Sequence, residues 1–326
     1  MDHSRDPRAE APPAPPGTAE LPRVERRDPA PDRGLAVVRR ARRAHVDVLI
    51  DLLDDGSPTV LATVRERLQD LGRSALPALR RAAQSTDARL RGRARALVSF
   101  HRRQDVLRRV AGFALRPDID LERGLFLLAR LDRPEFDCRP YRKALDAMGA
   151  EVRARVAQAP DGSSAPLALT QYLGNELGFV GSEVDFNHPD NIHVHRALER
   201  KRGMPLTLVA IYLLVARRAG LKAAPIALPG RVLLRLYAGP RSLILDPFLG
   251  GRARTRQDCV NYLAKHGLVP RPQWFADASD AALFHRQILN LMGSHQARGL
   301  TREAVELQGI AAAVNRLRAA RKRAGT

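Results

Sequence analysis

The sequence predicts a mostly helical α+β protein with a small antiparallel sheet near its middle. Three observations lead there. Residues Pro205 to Arg218, PLTLVAIYLLVARR, are apolar on most sides, which marks a central buried helix. Three short strand-like stretches follow it, separated by Pro229-Gly230 and Gly239-Pro240 turns. On both sides of this block, apolar residues recur at helical spacing.

Composition bounds what such a chain does. Its 326 residues allow two or three domains, and 44% hydrophobic content supports real cores. The formal charge is +20, and all but 5 of the 55 basic residues are Arg. Such charge favours acidic partners or nucleic acid. The Arg residues are spread over every segment, however, and only 5% of residues are aromatic. Single-strand binders interleave stacking aromatics with their cations, so nucleic acid ranks below a protein or peptide partner. Two distant cysteines, Cys138 and Cys259, make neither a disulfide framework nor a zinc site. A reducing cytoplasm and no cofactor are expected. MDHSRDPRAE has no apolar signal core. The longest apolar run, Met204 to Ala216, is too short to span a bilayer. No membrane partner is expected.

Taken in order, residues 1–34 are rich in Pro, Ala, Arg and Asp without apolar periodicity, and read as a disordered tail. Residues 35–105 are helical. Val46, Leu49, Ile50, Leu52 and Leu53 share a face, Asp54 to Pro58 is a turn, and Val60, Leu61, Val64 and Leu68 follow up to Gly72. Leu76, Leu79 and Ala82 mark a short helix, Ser85-Thr86-Asp87 caps the next, and Leu90, Ala94 and Leu97 complete it. Leu61 and Leu68 correspond to Leu90 and Leu97 after a shift of 29 residues, which suggests a pair of HEAT-like hairpins.

Residues 106–267 form the second unit. Asp118 or Asp120 caps a helix to Leu131, Arg133-Pro134 breaks it, and Asp137 caps another with Pro140 in its first turn. After a loop at 159–164, Leu167 to Leu177 is helical. A polar loop then carries Asp185, His188, Asp190, Asn191, His193 and His195. His188, His193 and His195 invite a metal, but their spacing matches no standard zinc pattern. Pro205 starts the central helix and Gly220 ends it, after Arg217 and Arg218, whose charge suits the helix C-terminus. Strands follow at Ala224 to Leu228, Val232 to Leu236 and Leu243 to Leu245, then a helix capped by Thr255. Residues 268–326 contribute two closing helices, Leu283 to Met292 and Ala304 to Leu317, and a frayed basic end.

Several of these residues carry a family resemblance. They are Tyr172-Leu173, Glu176 to Phe179, Gly181, Asp185, Pro189, Asn191, Leu198 to Arg200 and Arg202 to Leu208. The pattern continues through Leu228-Pro229-Gly230, Leu245 to Phe248 and Gly250-Gly251. Together they resemble the SirB-type branch of the transglutaminase-like superfamily, a papain-related α+β fold, over roughly Asp118 to Gly267. Active members of that superfamily set a Cys at the start of the central helix, a His on the next strand and an Asp on the strand after. The logic is physical: a helix N-terminus lowers a thiol pKa, the His takes its proton, and the Asp orients the His.

In this chain the helix start is Gly203-Met204-Pro205, the His position is Arg231, and only the Asp remains, as Asp246. An Arg cannot act as a general base near neutral pH. The resemblance therefore implies a non-catalytic binding or regulatory protein, with Arg231 and Asp246 paired where a His–Asp pair once sat. Glu176, Asn191, Arg202, Thr207, Arg231 and Asp246 are the expected cleft residues. The alternatives are a hydrolase or amide-transferring enzyme using non-standard groups around Asp246, and then a basic protein associated with nucleic acid.

Overall fold

A computed structural model describes residues 33–158, 165–238 and 241–324. The expected tail therefore lies outside the described residues up to position 32, as do the loop at 159–164 and the turn at Gly239-Pro240.

Helices α1 (Arg33–Asp51), α2 (Pro58–Asp70), α3 (Leu76–Ala82) and α4 (Ala88–Ala114) build the N-terminal core. Each boundary has a local cause. Pro58 opens α2, where a missing N–H costs nothing. Gly72 has a φ of +58°, a left-handed conformation open to glycine. The Asp87 carboxylate accepts from Leu90 N at 2.7 Å and caps α4. Val46, Leu49, Leu53, Val64, Leu68, Leu79, Ala94 and Leu97 pack together, as the helical spacing implied.

Helix α4 does not stop where a boundary was expected near 105. It places Ala94, Leu97 and Val98 in the N-terminal core and Val106, Leu107, Val110 and Phe113 in the next one. No breaker residue interrupts it, so one helix serves both cores.

The second core surrounds a central helix. Helix α5 (Leu121–Asp132) is capped by Asp120, whose carboxylate accepts from Arg123 N at 3.0 Å. Helix α6 (Arg139–Ala157) carries Pro140 in its first turn. Helix α7 (Ala165–Thr170) widens into a π-helical turn at Gln171–Glu176, not the regular helix expected to Leu177. That turn sets Gly174 against the backbone of Gly250, where a Cβ would lie 1.9 Å from the carbonyl oxygen. Strand β1 (Val180–Gly181) pairs in parallel with β2 (Arg202–Gly203), and α8 (Pro189–Ile192) and α9 (Val194–Arg200) lie between them. Two-residue strands are too short to show alternation in a sequence.

Helix α10 (Pro205–Arg218) is buried at every position from Leu206 to Ala216. Each fully buried Leu, Ile or Val contributes about 1.5–3 kcal/mol relative to exposure, so this helix is the main apolar anchor of the fold.

Strands β3 (Ala223–Leu228), β4 (Arg231–Ala238), β5 (Arg241–Asp246) and β6 (Arg252–Arg254) form one antiparallel sheet in that order. Val232, Leu234, Leu236 and Leu245 face the α10 core. Ile226, Leu228 and Leu233 face a smaller core with Cys259, Leu263 and Phe275, beneath α11 (Arg256–Lys265). Thr255 caps α11 in a reciprocal box with Asp258. Helices α12 (Asp280–Ala297) and α13 (Thr301–Arg323) bring Leu283, Phe284, Ile288, Leu291 and Leu307 into the α10 core. The closing helices are thus part of the same core rather than a separate tail. The basic end stays helical to Arg323. No helix among the described residues is long and apolar enough to cross a membrane.

Candidate functional site

Side chains alternate along a strand, so Arg231 and Leu233 on β4 share the face beneath α11, as does Asp246 at the end of β5. Arg231 Nη2 donates to Asp246 Oδ2 at 2.5 Å. Arg254 on β6 approaches the same oxygen with Nε at 3.4 Å. Asp246 is 0% exposed, while the Arg231 side chain keeps 23% of its surface in solvent. The other carboxylate oxygen, Oδ1, is buried with no hydrogen-bond partner among the described residues. The Arg231 guanidinium also lies over the rings of Phe248 and Tyr262, at 5.7 and 5.6 Å.

Arg231, Asp246, Arg254 and Tyr262 border a cleft of about 380 Å³, lined also by Leu228, Leu233, Asp258, Cys259, Asn261 and Lys265. Three cations face two carboxylates there. Asp246 is already matched by Arg231, and Asp258 accepts from Thr255 N and Oγ1 at 2.7 and 2.9 Å. The cleft therefore keeps one net positive charge, and Lys265 and the loosely held Arg254 are its cations outside the close Arg231–Asp246 pair.

Cys259 was not expected here, because its sequence position lies beyond the strands. Two turns of α11 separate it from Lys265, and the helix lies over the sheet. Burial pushes its thiol up, with Asp258 acting in the same direction. A thiol held protonated in this way is a poor nucleophile.

The other expected cleft residues lie elsewhere. Glu176 pairs with Arg155 on α6 through Oε1 and, at 2.8 Å, Oε2. Arg202 is exposed on β2. Thr207 is buried; its Oγ1 donates to Ile192 O at 3.0 Å and accepts from Gln287 Nε2 at 3.1 Å. Asn191 is a brace. Its Nδ2 donates to Asp185 O at 2.9 Å, its Oδ1 accepts from Arg200 Nη1 at 3.0 Å, and its carbonyl accepts from Met204 N at 2.8 Å. Asp185 itself adopts a φ of +47°. Together these bonds fix the loop against the start of α10. Pro205 sits at the first position of that helix and does not line the cleft.

The three histidines have separate duties. His188 Nδ1 accepts from Asp190 N at 3.1 Å and caps α8. His193 Nε2 meets Asp132 Oδ2 at 2.6 Å. Burial would raise the Asp132 pKa, but the bond and charge of His193 hold it below the usual carboxylate range. His195 is wedged against Phe136 and Tyr141, with ring centroids at 4.5 and 5.6 Å. Burial, helped by His193, pushes its pKa down to about 4. Among the described residues these histidines meet the carboxylates of Asp132 and, at 3.9 Å from His188, Asp190, but not that of Asp246. Among the described residues no group of three or more His, Cys, Asp or Glu is arranged to hold a metal ion.

Comparisons with known proteins agree with this architecture. Residues 139–289 match the family model described as the transglutaminase-like superfamily. A UPF0162 protein of Xylella fastidiosa strain 9a5c is 30% identical over 165 residues, which is 50% of this chain and 58% of that protein. Its counterpart in strain Temecula1 is 31% identical over the same share. The chain thus spans little more than half the length of these relatives. Mouse F-box only protein 21 is 28% identical over 107 residues, 30% of this chain and 17% of that protein. No solved structure gives a significant match.

Proposed function

Since the chain carries a transglutaminase-like domain, we propose that this domain is a SirB-type binding module without acyl-transfer chemistry. The observation that supports this most is the pairing of Asp246 with Arg231. The carboxylate that would orient a histidine is instead neutralised by a guanidinium, and the start of α10 offers Met204 and Pro205 where a thiol would be needed. A matching segment also occupies 17% of mouse F-box only protein 21, which suits a module used within larger proteins.

The ligand is a peptide segment bearing a carboxylate, held in the cleft by Arg254 and Lys265. The Arg231–Asp246 pair supplies a rigid floor. The N-terminal helices α1 to α4, which we read as HEAT-like, extend the surface available to a protein partner. The setting is cytoplasmic, in keeping with two free cysteines.

The test is an array of acidic, neutral and amidated peptides. It is probed with the intact protein, with Arg254→Ala/Lys265→Ala, and with Arg231→Ala/Asp246→Ala. Binding that prefers free carboxylates and disappears in the first variant supports the reading. Binding that is the same for all three proteins rules out the cleft as the binding surface.

The rival reading, a hydrolase built around Asp246, has one observation in its favour: Cys259 lines the same cleft. It would need a base within hydrogen-bond reach of the thiol.

A further inference from the structure

A second cleft, larger than the one beside Asp246, lies away from the Arg231–Asp246 pair. It measures about 680 Å³ and is formed by the end of α4, the following turn, α5 and the start of α6. Arg109, Arg116, Arg123, Arg130 and Arg142 line it, and no acidic residue does. The sequence spreads these residues over three helices and a turn, the first four at intervals of seven. The fold gathers them.

Like charges brought together this closely repel, and proteins ordinarily interleave carboxylates to offset that. Here the offset is nearly absent. Arg142 Nε meets Glu122 Oε1 at 3.0 Å, but Glu122 is shared with Arg218, at 2.7 Å from its other oxygen. Among the described residues, Arg109, Arg116, Arg123 and Arg130 make no ion pair and donate no side-chain hydrogen bond. Each guanidinium carries five N–H donors in a planar fork that fits phosphate oxygens in pairs.

The cleft wall narrows the choice of anion. Arg116 and Arg123 both stack on the ring of Phe113, at 5.5 and 5.8 Å, and Arg142 lies over Phe126 at 5.9 Å. Both rings are buried. Stacking restrains the guanidinium planes, and the N–H edges of Arg116 and Arg123 have no protein acceptor among the described residues. It also uses the ring faces on which a nucleobase would stack, so the pocket lacks the platform that single-stranded nucleic acid binders use. Its volume falls within the range of roughly 300–1,000 Å³ typical of small-molecule sites.

We propose that this cleft binds a compact polyphosphate, recognised through its chain of phosphates and not through a base. Inorganic triphosphate and a nucleoside triphosphate share that chemistry, and the experiment separates them. The site is independent of the peptide cleft, so either reading can fail alone.

Cys138 lines the cleft and is half-buried, whereas the only other cysteine, Cys259, is buried. It therefore reports occupancy. The full chain is treated with N-ethylmaleimide alone, with sodium triphosphate, with ATP, and with a single-stranded oligonucleotide. Affinity is measured in parallel by calorimetry for the wild type, Arg116→Gln/Arg123→Gln, and Arg40→Gln/Arg43→Gln. The last pair lies exposed on α1 and removes the same charge at a distance.

Triphosphate is expected to slow alkylation of Cys138 about tenfold or more. The cleft variant should lose about 100-fold in affinity, and the α1 variant less than about twofold, on the scale of charge-assisted hydrogen bonds. Protection by ATP equal to that by triphosphate supports recognition through phosphate alone. Protection by ATP but not by triphosphate overturns it. So would equal losses in both variants, which would mean diffuse attraction to a basic chain. Protection by the oligonucleotide without protection by triphosphate would also overturn the proposal, as would no protection at all.

Discussion

Replacing Arg231 by Met should cost this protein about 3–5 kcal/mol of stability. The reasoning starts from burial. Asp246 is 0% exposed, its Oδ1 has no partner among the described residues, and Arg254 touches Oδ2 only at 3.4 Å. Removing one member of a buried ion pair costs about 3–5 kcal/mol, because the remaining charge is left uncompensated. The low end applies here, since Arg231 keeps part of its surface in solvent and Arg254 can move closer. Loss of the contacts with Phe248 and Tyr262 adds about 0.5–1 kcal/mol each at most. Against a total stability of about 5–15 kcal/mol this is readily measured. Urea unfolding followed by circular dichroism gives the value. The double variant Arg231→Met/Asp246→Leu should return to within about 1 kcal/mol of wild type, because an apolar pair of similar volume needs no compensation. Losses that simply add, or a single variant costing under about 1 kcal/mol, would refute the reasoning.

Two more predictions concern the packing around α10. The His195 pKa is lowered from 6.5 to about 4 in the folded state, so the unfolded chain binds more protons between those values. The neutral His195 contributes fully above pH 6.5, and its contribution is lost as pH falls towards 4, about 3 kcal/mol across the window at about 1.4 kcal/mol per unit. His195→Phe keeps an aromatic ring beside Phe136 and removes the proton site; its stability should fall about 3 kcal/mol less than wild type over that range. Parallel urea midpoints for the two proteins would contradict this, since His101, His285 and His295 titrate in both. Gly174→Ala should lower the melting temperature, because its Cβ would sit 1.9 Å from Gly250 O and backbone must move, at about 1–3 kcal/mol. Gly309→Ala on α13, with open space around the new methyl, should instead raise stability by up to about 1 kcal/mol. Equal melting temperatures for the two variants would show that the close approach at Gly174 is not a constraint.

What the sequence made legible was whatever depends on local chemistry. Helix ends at Asp87, Asp120 and Thr255 follow from carboxylates and hydroxyls reaching back to N–H groups within three residues. The apolar run from Leu206 to Ala216 announced the central helix because no solvent-facing stripe interrupts it. Less legible was anything set by long-range approach. Cys259 reaches the cleft only because α11 folds back over β4 and β5. Glu176 finds Arg155, 21 residues earlier, and Thr207 finds Gln287, 80 residues later. Strand β6 carries two Arg and no apolar alternation, so nothing in its composition distinguishes it from a loop. The arginines of the larger cleft looked scattered because a turn at 115–120, which holds Arg116, separates Arg109 from Arg123 and Arg130. Only the antiparallel packing of α4 and α5 shows that they converge.

The proposed function rests on the Arg231–Asp246 ion pair standing where a catalytic His–Asp pair would be needed. The most direct measurement is turnover of glutamine-containing peptides and activated esters by purified protein, alongside Asp246→Asn and Cys259→Ala. Release of ammonia or alcohol should stay at the uncatalysed rate in all three. Turnover by the wild type that either substitution abolishes, with the fold intact by circular dichroism, would contradict the account.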